Sequence, residues 1–117
     1  MDSPLDSWEG VLAFALTLGD TEQSTSYGRP AVRVRGKAFL YAGREAGSFA
    51  VACPIEDKEV LIETDSETFW ETDHYRGWPA VLVRFGSPDR ERIERVIERA
   101  WWDRSSKTQR LAFGERP

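Results

Sequence analysis

Apolar residues recur along this chain with two periods, and each period predicts an element. Leu5, Trp8, Leu12, Ala15 and Leu16 share one helical face, which Val11, Phe14 and Leu18 widen. Ser3-Pro4 reads as the N-cap and first helical residue, and Gly19-Asp20 as the stop. Residues 20–30, rich in Thr, Ser, Gly and Pro, read as a loop. Ala31 to Arg35 then alternates with period two, so Val32 and Val34 face a core while Arg33, Arg35 and Lys37 face outward. Ala38 to Ala42 and Ser48 to Cys53 give two further strands across the loop 43–47, completing a three-stranded meander. Pro54 to Thr64 reads as a helix with Glu56 and Asp57 in its first turn. Phe69 to Glu71 is a short strand. Ala80 to Phe85 is apolar enough to sit centrally in a sheet. Ser87-Pro88 repeats the helix-start signature, and Ile93, Val96, Ile97, Ala100 and Trp101 follow on one face. The predicted fold is α+β: an antiparallel sheet flanked by N-terminal, middle and C-terminal helices. One domain spans 1–103, and 104–117 form a polar, loose tail with Leu111 and Phe113 as its apolar anchors.

Composition narrows the class. At 117 residues the chain suits one domain that buries roughly two thirds of its unfolded surface. Leu, Ile, Val and Phe are sparse, but five Trp, six Phe and three Tyr supply large buried areas. The single cysteine, Cys53, excludes an internal disulfide framework and a Cys-cluster zinc site, and one His leaves few metal-ligand sets. No metal or cofactor is expected. The longest apolar run, Val11 to Leu18, is too short to span a bilayer, and acidic residues rather than a basic region precede it. A cytoplasmic monomer without membrane contact is the simplest expectation.

Charge changes the picture more than composition does. The net charge is −4, which speaks against a uniformly basic protein. By segment, however, residues 25–53 carry +4 between a stretch of −5 before and −7 after. If the strand runs unbroken through Gly36, then Arg33, Arg35 and Lys37 project from one face about 7 Å apart, a spacing suited to a phosphate backbone. In the alternative, Glu56, Glu59 or Glu63 of the acidic helix cancels them. Along the last helix, Glu91 and Arg95 are spaced as a surface ion pair.

Two clusters carry candidate chemistry. Asp73-His74-Tyr75-Arg76-Gly77-Trp78-Pro79 places an imidazole, a phenol, a guanidinium and an indole in one turn, enough for a clamp with Arg76 on an anion and two rings for stacking. Catalysis would need a nucleophile or partnered base beside His74. Tyr27-Gly28-Arg29-Pro30 is the second cluster, and it lacks phosphate-loop spacing. Among the tryptophans, Trp8 and Trp101 fit core faces. Trp70 fits neither role clearly, and Trp78 and Trp102 are left for external contacts or cover by the tail. Cys53 ends an apolar strand and reads as an inert buried thiol.

Taken together, Ser26-Tyr27-Gly28-Arg29-Pro30-Ala31, Val34-Arg35-Gly36-Lys37 and His74-Tyr75-Arg76-Gly77-Trp78-Pro79-Ala80-Val81-Leu82-Val83 resemble the MmcQ/YjbR family of small bacterial single-domain proteins. The resemblance covers nearly the whole chain. It implies an α+β architecture similar to type III secretion chaperones, a DNA-binding role in which two hairpins act as a double wing, and no enzymatic activity, metal or cofactor. Carried onto this chain, the wings use Arg33, Arg35, Lys37 and Arg44 around the meander, with Arg76 and Arg84 at or beyond the second motif. These are phosphate contacts that position rather than specify. The chain departs from the family pattern at Val32, at Trp78 and in its acidic stretch 56–73. The expected function is therefore a non-enzymatic domain that binds DNA through the basic meander. The alternative is a protein- or small-anion-binding module in which Tyr27, His74, Tyr75, Arg76 and Trp78 converge on one concave site.

Overall fold

The computed structural model describes residues 5–117. Helix α1 (Trp8–Ala15) is followed by strands β1 (Thr21–Ser26), β2 (Arg29–Val34), β3 (Lys37–Tyr41) and β4 (Ser48–Ala52). Helix α2 (Ile55–Thr64), strands β5 (Phe69–Trp70) and β6 (Ala80–Arg84), and helices α3 (Arg90–Arg104) and α4 (Lys107–Phe113) complete the order. The strands form one antiparallel sheet in the order β1-β2-β3-β4-β6-β5. The α+β expectation holds, and all five expected strands match within two residues at each end.

The alternation seen in the sequence sets the core. Val32, Leu40, Phe49, Val51, Val81 and Val83 are fully buried with Val11 and Ala15 of α1 and Ile93, Ile97, Ala100 and Trp101 of α3. Helix α3 packs on β3 and β4, with α1 beside it, while α2 lies against β5 and β6. Every residue of β4 is buried, as expected of a strand with neighbours on both edges and cover on both faces.

Five expectations are corrected. The first helix begins at Trp8, with the Ser7 hydroxyl accepting from Gly10 N at 3.2 Å; Ser3-Pro4 lie outside the described residues. It also ends early, because the Thr21 hydroxyl donates to the Ala15 and Leu18 carbonyls and takes the bonds a further turn would have made. The stretch 20–30 is not a loop: Thr21 to Ser26 pairs with β2 in perfect register, so the meander has four strands. No apolar alternation marks β1, because it is an edge strand held by a ladder on one side only. Helix α3 is capped by Asp89, whose carboxylate accepts from Arg92 N at 3.2 Å, while Ser87 bonds back to the Arg84 carbonyl. Its i,i+4 pair is Arg90–Glu94 at 3.2 Å, one register earlier than Glu91 and Arg95.

The polar tail is the fifth correction. Ser106 caps α4, which folds back on α3. Arg110 lies 4.5 Å above the Trp102 ring and donates to the Trp102 and Asp103 carbonyls. Phe113 meets Trp101 edge-on, ring centres 5.3 Å apart. Arg116 grips Asp103 through both carboxylate oxygens at 2.8 and 2.9 Å. Trp102, placed on the polar face of its helix by sequence, is thus covered by the tail.

Candidate functional site

The basic meander does not present one face. Tyr27 and Gly28 have φ of 52° and 76°, and Arg35 and Gly36 have φ of 54° and 76°. Both pairs join strands whose flanking residues are paired, Ser26 with Arg29 and Val34 with Lys37. Two consecutive positive φ values in a two-residue connection define the type I′ hairpin turn, and glycine supplies the second at no steric cost. The strand therefore breaks at Val34 instead of running through Gly36. Arg35 and Lys37 stand exposed at that turn. Arg33 is left behind on β2, beyond a bulge, with its Nε 3.1 Å from Glu22 of β1.

The cancelling carboxylate thus comes from the neighbouring strand and not from α2, where Asp57 faces Arg99 and Arg116 instead. Arg84 is also committed: it donates to the Ser66 and Glu67 carbonyls and stacks 4.6 Å from the Trp70 ring. Trp70 in turn donates to the Ser48 hydroxyl at 3.0 Å, a structural role. Arg76 pairs locally with Asp73 at 3.0 Å.

The aromatic clusters behave differently. Tyr27, Tyr41, Tyr75, Trp78 and His74 line a single open groove of about 850 Å³. Ser26 and Arg29 of the first hairpin, Ala42 and Arg44 after β3, and Arg104 at the end of α3 complete its walls. Ala52 and Ala80, partners across the β4–β6 ladder, lie with Pro79 in the same lining. Small side chains at paired positions leave the space that larger residues would fill. Among the described residues no carboxylate lines the groove. Arg29, Arg44 and Arg104 have no carboxylate partner among the described residues. Of the expected clamp, Tyr27, His74, Tyr75 and Trp78 meet here, together with Arg44 from the expected wing. Arg76 does not, because Asp73 holds it outside.

Two devices hold these groups. The first is Lys58, only 3% exposed, on the buried face of α2. Its ammonium donates to the Tyr75 and Trp78 carbonyls at 3.0 and 2.7 Å and pairs with Glu71 at 2.8 Å. Two hydrogen bonds from one buried ammonium tie the loop bearing His74, Tyr75 and Trp78 to a helix it does not adjoin in sequence. The second is the first hairpin turn, which presents the Tyr27 ring 97% exposed. Trp78 is 59% exposed. His74 stands edge-on to Tyr75 and within 3.0–3.1 Å of Arg44 Nη1. A guanidinium has donors only, so the imidazole faces a cation and no base.

Sequence reasoning passed over Lys58, Arg104 and Tyr41, and quoted Arg29 without assigning it a role. Lys58 had a signal, being the lone base among eight acids of its segment and three residues before the buried Leu61. Reading Tyr27-Gly28 as a turn would have set Arg29 beside Tyr27. Nothing local marks Arg104, whose place depends on how α3 crosses the sheet. Cys53 is buried as expected, and burial, with Asp57 nearby, pushes its thiol up to about 11.

Comparison with known proteins decides the family. The YjbR family model matches residues 16–102, about three quarters of the chain. The chain belongs to the YjbR family. Every groove residue from Ser26 to Ala80 lies inside the YjbR match, whereas Arg104 and α4 lie just beyond it. The crystal structure of Deinococcus radiodurans protein DR2400, with a DUF419 domain, superposes with a TM-score of 0.73. It shares 11% identity, over 97% of this chain and 92% of that one. At that identity the likeness shows the YjbR fold and nothing finer. Among curated proteins nothing matches.

No helix among the described residues is long and apolar enough to cross a membrane. The described residues hold no group of three or more His, Cys, Asp or Glu side chains that could hold a metal ion.

Proposed function

We propose that this YjbR protein is a non-catalytic binding module whose ligand is an anion held in the aromatic groove. One observation carries the reading: three guanidiniums and an imidazole stand among four aromatic rings, with no carboxylate among the described residues of the lining. Guanidinium forks match the oxygens of phosphate or carboxylate in a bidentate manner, and they bind more strongly where rings keep water away. This groove is read as non-catalytic because His74 faces the Arg44 guanidinium, which has donors only and cannot serve as its base.

The test is titration with inorganic tripolyphosphate, followed by amide chemical shifts at low and high salt. Shifts should concentrate at Arg29, Arg44, His74 and Trp78 and fade with salt. Arg44→Gln and Arg104→Gln should each weaken binding, while Arg35→Gln should not. An unchanged spectrum at low salt would remove the reading.

A second reading is binding of duplex DNA at the other hairpin, supported by Arg35 and Lys37, exposed at their turn without a carboxylate partner among the described residues. The two turns lie at opposite ends of the six-residue β2, roughly 20 Å apart, so the two readings separate cleanly. Duplex affinity that falls steeply on Arg35→Glu with Lys37→Glu, and is untouched by Arg44→Gln, selects the second.

A further inference from the structure

We infer that the groove takes a nucleotide unit, its base stacked on Tyr27 or Trp78 and its phosphate gripped by Arg29, Arg44 and Arg104. This rests on the anionic-groove reading and adds the other half of the ligand.

The two rings carry the inference. Tyr27 occupies a left-handed backbone position that non-glycine residues adopt at a cost, and its ring is 97% exposed with no hydrogen bond of its own. The fold thus gains nothing from this side chain, at a turn where Asn or Gly would sit without strain. Trp78 adds a second free ring, 59% exposed, on a backbone fixed by the buried Lys58 at 2.7 Å. A ring held in place before the ligand arrives loses little freedom on binding.

The cations set the other end. Arg29 is two residues from Tyr27 along the same hairpin, and Arg44 is oriented by His74. A simple carboxylate or inorganic anion would use the guanidiniums and leave both rings idle. An apolar ring compound would leave three cations unmatched. A nucleotide uses both, and the groove, at about 850 Å³, is within the range of small-ligand sites. Stacking needs an open base face, which an intact duplex does not offer, so the source is a free nucleotide or a single strand.

The experiment compares three probes with the whole chain: ATP, inorganic tripolyphosphate and a single-stranded thymidine decamer, by calorimetry at 50 mM salt. Expected is at least tenfold tighter binding of ATP or the decamer than of tripolyphosphate. Tyr27→Asn or Trp78→Ala should then lower the nucleotide affinity about tenfold and the tripolyphosphate affinity by much less, since only the nucleotide has a base to stack. Arg44→Gln should weaken all three. A decamer tighter than ATP identifies a single strand as the source, and equal or tighter ATP a free nucleotide. If tripolyphosphate binds as well as ATP and the decamer, and neither ring variant matters, the nucleotide inference falls while the anion reading stands. If no probe binds, both fall.

Discussion

Tyr27→Asn should make this protein more stable while weakening its groove. The φ of 52° at Tyr27 sits in the left-handed region, where a side chain crowds its own carbonyl at a cost of about 1 kcal/mol. Asn tolerates that region best after glycine and is a favoured first residue of a type I′ turn. The ring is 97% exposed and makes no hydrogen bond, so little burial is lost with it. The expected gain is therefore about 0.5–1 kcal/mol. For a domain of this size that raises Tm by about 3–5 °C. Thermal unfolding by far-UV circular dichroism and the urea midpoint both read it. Arg35→Asn supplies the control, since Arg35 has φ of 54° in the same type of turn at the far end of β2. It should give a similar gain with no effect on the groove, and the two gains should add, because the turns share no partner. A fall in Tm on Tyr27→Asn, against a rise on Arg35→Asn, would refute the reasoning and show that the Tyr27 ring supports the fold.

Three further outcomes are expected. Lys58→Met should lower stability by about 3 kcal/mol, the low end for breaking a buried ion pair because Glu71 is 30% exposed. A loss below about 1 kcal/mol in urea unfolding would show that the Tyr75 and Trp78 carbonyls need no ammonium. Cys53, with its thiol pushed up to about 11, has only about one molecule in a thousand ionised at pH 8, so native labelling by Ellman's reagent should be slow and become rapid in urea. Prompt native labelling would contradict the burial. Phe113→Ala should cost about 1 kcal/mol by removing the edge contact on Trp101, and should alter the near-UV circular dichroism of that indole. No change in either would mean that α4 does not pack.

How much of the site could be read from the chain differs between its parts. The rings of 74–78 were visible as a cluster because they are contiguous, and the Tyr27 cluster was visible because Gly and Pro flank it. Their meeting was not visible. It depends on the β1–β2 ladder, on the β4–β6 register that sets Ala52 opposite Ala80, and on a lysine seventeen residues before the carbonyl it holds. The basic stripe failed for a local reason. Period two by itself carries the strand through Arg35-Gly36, although a dipeptide ending in Gly between two alternating runs is also a hairpin signal. The turn formed there places Arg35 and Lys37 at its tip and leaves Arg33 beside Glu22.

By itself the sequence determined what rests on neighbours along the chain. The apolar periods of 2 and 3.6 name the core of β2, β4, β6 and α3, because each face must be buried against something. The composition excludes a disulfide framework, and the motifs carry the family. Only the tertiary structure decided what depends on pairing between distant segments. It made an all-polar stretch into edge strand β1, folded the tail back as α4, and sorted the cations. Some arginines are cancelled or committed by partners far away in sequence, and Arg29, Arg44 and Arg104 are left facing four rings. The physical reason is that hydrogen-bond ladders and ion pairs satisfy groups across space, where sequence spacing leaves no trace.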